Sequence, residues 1–223
     1  MQTAASAQPR TPLSKERVLR AAIDLADQSG IESLSMRKLG HALGVEAMSL
    51  YNHARNKDEI LDGIADMVVG EIELILPDPD WKTALHAQVM AARSVLLRHP
   101  WAPKVIESRK NPGPATMRYM ESVIGMLRSA GFSVDLTHHA MHVLGSRIFG
   151  FNQELYDDPG DSGMTPDVAA VMAQEMAATY PYITELTLSI SHDGGLGGCD
   201  DDFEFAFGLD LILDGLEALR LAA

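Results

Sequence analysis

The chain has 223 residues, 46% apolar and 22% charged, with a formal net charge of −13. That size and balance fit one large or two smaller globular domains, and the acidity works against a nonspecific grip on phosphate backbones. A single cysteine, Cys199, excludes an intrachain disulfide, and no run approaches the ~20 apolar residues that a bilayer span requires. The opening MQTAASAQPR lacks the basic-then-apolar order of a secretory signal, so a cytoplasmic protein without a membrane partner is expected.

The charge is uneven. Residues 1–57 hold eight Lys/Arg against five Asp/Glu, which leaves ten and 26 for the rest of the chain. A basic head on an acidic body is what a DNA-binding module joined to a different kind of domain presents.

Residues 1–13, rich in Ala, Ser, Gln and Pro, read as a flexible arm. Ser14 can cap a first helix, in which Val18, Leu19, Ala22, Ile23, Leu25 and Ala26 keep a 3.6-residue period and Gly30 is a left-handed terminator. Ser35 caps a second helix over Met36–Leu43. Gly44 falls at a sharp turn, and Val45 and Leu50 are spaced to pack a third helix from Ala47 to His53. Asn56 caps a fourth, whose stripe Ile60, Leu61, Ile64, Val68 and Ile72 runs on to Leu76.

Pro77–Pro79 break the chain, and only helices are expected beyond. They cover Trp81–Arg98, Trp101–Ser108, Ala115–Ala130, Val134–Tyr156, Pro166–Thr179, a short segment from Pro181, and Phe203–Leu221. Asp157–Thr165 and Gly194–Asp202 read as loops, and Asp200–Asp202 lack the alternating spacing of a calcium-binding EF-hand loop. The fold class is therefore all-α. A three-helix helix-turn-helix domain at residues 14–62 precedes a larger helical domain at 63–223.

The reading segment is SMRKLGHALGVEAMSLYNHARNKDEIL, residues 35–61. A helix-turn-helix places its second helix in the major groove. There Ser49 and Asn52 can hydrogen-bond base edges while Ala47 and Met48 meet thymine methyls. Tyr51 and His53 are placed for phosphate oxygens, Lys57 adds a cation beside a helix N-terminus, and Arg37 and Lys38 flank the backbone. The third helix carries no Arg or Lys, so readout rests on polar and methyl contacts.

The order Ala42–Leu43–Gly44–Val45, then Leu50–Tyr51–x–His53, then Asn56–Lys57–x–x–Ile60–Leu61 closely resembles the N-terminal domain of tetracycline-repressor (TetR) family regulators. The dense match spans residues 14–65, and it implies phosphate contacts at Tyr51, His53 and Lys57. FAFGLDLILDGLEAL, Phe205–Leu219, resembles the last helix of the family's C-terminal domain. The resemblance implies that this helix pairs with the one over Val134–Tyr156 in a four-helix dimer bundle. It further implies a homodimeric repressor on double-stranded operator DNA, released by a small-molecule inducer that biases the spacing of the two heads. In the family's namesake a histidine on that long helix reaches drug-bound magnesium. The matching position here is Ser146 or Arg147, which weakens a magnesium–tetracycline reading.

For the ligand, His86, Met90 and Arg93 form a mixed stripe beside the apolar stripe of the Trp81 helix, and Met117 and Met120 supply adaptable apolar wall. His138 and His142, four residues apart with His139 beside them, share a helix face and complete the candidate lining with Ser146. Two imidazoles at that spacing can chelate a transition metal, but no carboxylate completes a set, so neither a metal site nor a cofactor is expected. An all-α ligand-binding protein without DNA function is the alternative. An enzyme built on the histidine group lacks any accompanying nucleophile, phosphate loop or metalloprotease signature.

Overall fold

The computed structural model of the chain describes residues 12–76, 78–150, 166–190 and 201–222. Among these residues the regular structure is helical and no strand occurs. The chain divides into two compact units, one ending at Thr137 and one beginning at His138.

In the first unit, α1 (Lys15–Ser29) starts where Ser14 Oγ accepts the Arg17 N–H at 3.2 Å, and it buries Val18, Leu19, Ala22, Ile23 and Ala26. Gly30 ends it at φ 76° and ψ 153°. This is a positive-φ region open to glycine, but it is not the left-handed helical basin expected from the sequence. A short 3-10 turn, Ile31–Ser33, leads to α2 (Met36–Leu43), capped by Ser35 Oγ on the Lys38 N–H. Gly44, at φ 67° and ψ 33°, closes α2 with Val45 N–H on Gly40 O and its own N–H on His41 O. These paired bonds are the Schellman pattern.

α3 is shorter than the sequence suggests. Only Ala47–Leu50 is α-helical, and Tyr51, Asn52 and His53 donate to carbonyls three residues back, as in a tightened 3-10 turn. α4 (Lys57–Val69), capped by Asn56 Oδ1 on the Glu59 N–H, also stops earlier than the expected Leu76. It ends in a tightened turn, with Glu71 N–H on Val68 O and Ile72 N–H on Val69 O. Beyond that turn, wholly buried Gln88 donates to Glu73 O at 3.1 Å and accepts Ile75 N–H at 2.8 Å, satisfying the peptide groups of 73–75 outside a helix. Pro77 lies outside the described residues.

α5 (Trp81–Arg98) is capped by Asp80, α6 is Ala102–Ser108, and α7 is Pro114–Ser129. Trp81 meets Phe132 edge-on at 4.8 Å between ring centroids. α4 is the hub of this unit, packing against α1, α5, α6 and α7. α8 (Val134–Gly150) crosses the division between the units.

In the second unit, α9 (Pro166–Thr179) and α10 (Pro181–Ile190) pack as a pair. α11 (Asp201–Ala222) buries Phe205, Leu209, Leu213 and Leu216. Arg147 of α8 donates to Glu204 O and Phe205 O and lies 4.7 Å from the Phe205 ring centroid. Asp201 and Asp202, expected in a loop, form the first turn of α11, where carboxylates complement the helix dipole. The expected arm at 1–11, loop at 157–165, loop residues 194–200 and helix end at 151–156 lie outside the described residues.

Candidate nucleic-acid interface

The helix-turn-helix is held from beneath. Leu39 and Leu50 are fully buried, and a Cβ on Gly40 would stand 2.9 Å from Val45 O and 3.1 Å from Ala47 N. Only a hydrogen side chain lets the middle of α2 lie against the start of α3. With Leu50 locked inward, Met48 (75% exposed), Tyr51 (45%) and Asn52 face solvent, and Ala47, Ser49 and His53 are half-exposed. Tyr51 is thus a surface residue and not part of the core. Arg37 and Lys38 are exposed on the first turn of α2, and Lys57 is exposed on the first turn of α4. All nine residues singled out from the sequence are open to solvent at least in part.

Glu59 organises the cations around this surface. It accepts Arg55 N–H at 2.9 Å and Arg55 Nε at 3.1 Å, and its other oxygen accepts Lys15 Nζ at 3.1 Å. The Arg55 backbone and side-chain bonds, then Lys15, hold its carboxyl down to about 2. Arg55 was not singled out by sequence reading, because its position follows from an acid in the next helix.

The residues expected to line a ligand site are divided. His86 and Met90 are half-buried and Arg93 is buried in α5, while Met117 and Met120 are exposed on α7, all in the first unit. Half-buried Tyr119, between those methionines, has its phenol pushed up to about 12 by burial. His138, His142 and Ser146 are exposed on α8 in the second unit, with the His138 and His142 rings 4.6 Å apart between centroids. No group of three or more metal-ligating side chains occurs among the described residues.

A cavity of about 190 Å³ in the first unit takes none of the expected lining. It is formed by α4, α6 and the turn into α7, with Asp62, Asp66, Arg109 and Thr116 among its walls. Arg109 reaches Asp58 at 3.2 Å and Asp62 at 3.4 Å, and Asp66 caps α7. These ties join residues about 50 apart, and no local motif announces them.

Residues 18–64 match the family described as bacterial regulatory proteins, tetR family, and residues 76–220 match the tetracyclin repressor-like C-terminal domain. The chain belongs to the TetR family. It is 33% identical over 221 residues to the HTH-type transcriptional repressor DrrR1 of Streptomyces coeruleorubidus, covering 95% of this chain and 80% of that protein. Its fold is similar to that of apo ActR from Streptomyces coelicolor, with a TM-score of 0.75, 27% identity, and 96% and 99% of the two chains covered. ActR in complex with actinorhodin gives a TM-score of 0.71 at 28% identity, covering 94% and 99%. This TetR-family chain is a DNA-binding transcriptional regulator and not an enzyme, so an enzymatic reading of His138, His139 and His142 falls away. No helix among the described residues is long and apolar enough to cross a membrane.

Proposed function

We propose that the protein is a cytoplasmic, homodimeric repressor that reads operator DNA through α2 and α3 and is released by a small apolar or amphipathic molecule. The observation that carries the reading is the exposure of Met48, Tyr51 and Asn52 on a segment whose Leu50 anchor is wholly buried. A rigid helix offering a methyl-rich and amide surface suits base edges, and the flanking Arg37, Lys38, Tyr51, His53 and Lys57 suit phosphates. Residues 14–62 act as the reading domain and 63–223 as the ligand and dimerisation domain.

Dimerisation is supported by α11, where Phe203, Phe207 and Leu211 are all more than half exposed and the two Phe rings stack at 6.4 Å. Val143 adds an exposed apolar side chain on α8. Two heads about one DNA turn apart, ~34–36 Å, engage successive major grooves. Ligand binding acts by changing that spacing through α4, which leads from the reading head into the rest of the chain. Complexes such as that of ActR with actinorhodin support a small-molecule effector for this chain too. Within the first unit, the candidate lining is His86, Met90, Arg93, Met117 and Met120.

A gel-shift titration on the DNA upstream of the protein's own gene, repeated at rising salt, tests the proposal. Binding that is two-fold symmetric and weakens steeply with salt is expected. Absence of retained DNA at low salt would refute it.

A further inference from the structure

Outside the reading surface, a buried imidazole, His99, lies between α5 and α6 and is 7% exposed. Its Nδ1 lies 2.9 and 3.1 Å from the two oxygens of Asp27 on α1, and its Nε2 lies 3.3 Å from Glu71 Oε2, just past α4. Asp27 also accepts the Trp101 indole N–H at 2.6 Å, and Glu71 accepts Arg98 at 2.9 Å. Asp27, Glu71, Arg98 and Trp101 are therefore the groups facing the ring. One imidazole thus spans from the first helix of the reading head to the segment following α4.

A neutral imidazole carries one N–H and one lone pair, so it can serve only one of two carboxylates. Asp27 is the better-placed acceptor, with two oxygens within 3.1 Å of Nδ1. With Nδ1 donating there, a neutral ring turns its Nε2 lone pair toward the Glu71 oxygen, which repels it. The imidazolium donates to both. Burial pushes the Glu71 carboxyl up, but hydrogen bonds and charge from Arg98 and His99 outweigh this and hold it below the usual range. Glu71 is therefore an ionised partner wherever an imidazole titrates.

We propose that His99 is a positioning residue for DNA binding: protonated, it ties α1 to the end of α4 and holds the reading head in place, and on losing its proton it releases the Glu71 side. A head loosened in this way must be ordered again on docking, which costs affinity. This role rests on the DNA-binding reading of α2 and α3. Because Glu71 and Arg98 are partly solvated, the effect is that of one screened ion pair, roughly two- to fivefold in affinity.

The test uses the full-length protein and a duplex that the wild type selects from a random-sequence library. Affinity is measured from pH 6 to pH 8 for wild type, His99→Gln and Glu71→Gln. Other histidines near the DNA, His53 among them, contribute a pH slope of their own, so the readout is the difference between proteins. Wild-type affinity is expected to fall two- to fivefold more than that of His99→Gln across this range. Glu71→Gln can donate its amide to the neutral ring, so it is expected to lose the extra fall while keeping tight binding at pH 8.

Equal slopes in wild type and His99→Gln, with or without a uniform drop in affinity, would overturn the proposal. In parallel, Trp101 emission is followed without DNA in a Trp81→Phe background, where Trp101 is the sole indole. A pH step that His99→Gln removes is expected there. If no duplex is bound at any pH, the DNA-binding reading fails and the role in DNA binding with it; absence of the Trp101 step in the DNA-free protein instead overturns the His99 tie itself, whether or not DNA is bound.

Discussion

Asp66 and Thr116 are joined twice: the Asp66 carboxylate on α4 accepts the Thr116 backbone N–H at 2.8 Å and its hydroxyl at 3.0 Å. A third bond, from Ala115 N–H at 3.2 Å, makes Asp66 the side-chain cap of α7, which Gly113 leaves without one. A Cβ on Gly113 would stand 2.3 Å from the Asp66 carboxyl carbon, so the close approach also needs that glycine. α4 is thus fastened to the start of α7 by a helix cap supplied from another helix.

Asp66→Ala leaves two helix-terminal N–H groups without their acceptor and is expected to cost about 1–3 kcal/mol. Asp66→Asn, which keeps one carbonyl oxygen, is expected to cost less. Urea denaturation of the two variants beside the wild type checks both the magnitude and the order.

Gly40→Ala forces a methyl group against backbone atoms of Val45 and Ala47, which cannot swing aside as a side chain would. A loss of about 1–3 kcal/mol in stability is expected, the scale of overpacking. DNA binding is expected to fall with it, because α2 and α3 must separate. Chemical denaturation and a duplex titration of one preparation measure both.

Much of this was legible in the sequence. Ser14, Ser35 and Asn56 all cap the helices predicted from them, and Gly44 takes the left-handed turn, because caps and turns are decided within four residues. The apolar period runs on past the ends of α3 and α4, because it does not register the tightened i→i−3 turns that close both helices. Asp27 with Trp101, and Asp66 with Thr116, pair residues 74 and 50 apart, where a single sequence carries no signal. The exposure of Met48, Tyr51 and Asn52 around buried Leu50 follows from a local register and is accessible to sequence reasoning, whereas the residues expected around a ligand fall on several helices of both units.

Glu59 gives a pH-dependent expectation. Its folded value of about 2 lies below its ordinary 4.5, so its partners stabilise the fold above about 4.5, and that contribution is lost as pH falls toward 2. Glu59→Gln is expected to be less stable than wild type at pH 7, and the gap should close between pH 4.5 and pH 2. Denaturation of both proteins at pH 7, 4 and 2.5 follows the gap directly.

Phosphate and base contacts separate by their salt and sequence dependence. Lys57→Ala is expected to weaken binding to every duplex alike and to reduce the salt slope by about one. Tyr51→Phe should also act uniformly, through loss of a hydroxyl. Ser49→Ala and Asn52→Ala are expected to change which base pairs are preferred by about 1–3 kcal/mol at single positions. Anisotropy titrations on a panel of single-base operator variants distinguish the two patterns.

Phe207→Asp puts a charge on the exposed apolar line of α11. If that line is the dimer seam, the protein is expected to sediment as a monomer at micromolar concentration with its helical content kept. Loss of dimer is also expected to weaken operator binding, because each head then binds alone.

Hydroxyl-radical footprinting on a duplex that the protein selects from a random library shows whether two heads read one operator. Two protected windows on one face of the DNA are expected, about 10–10.5 base pairs between centres and related by two-fold symmetry. Protection without that symmetry, or none at salt low enough to favour phosphate contacts, would contradict two-headed reading.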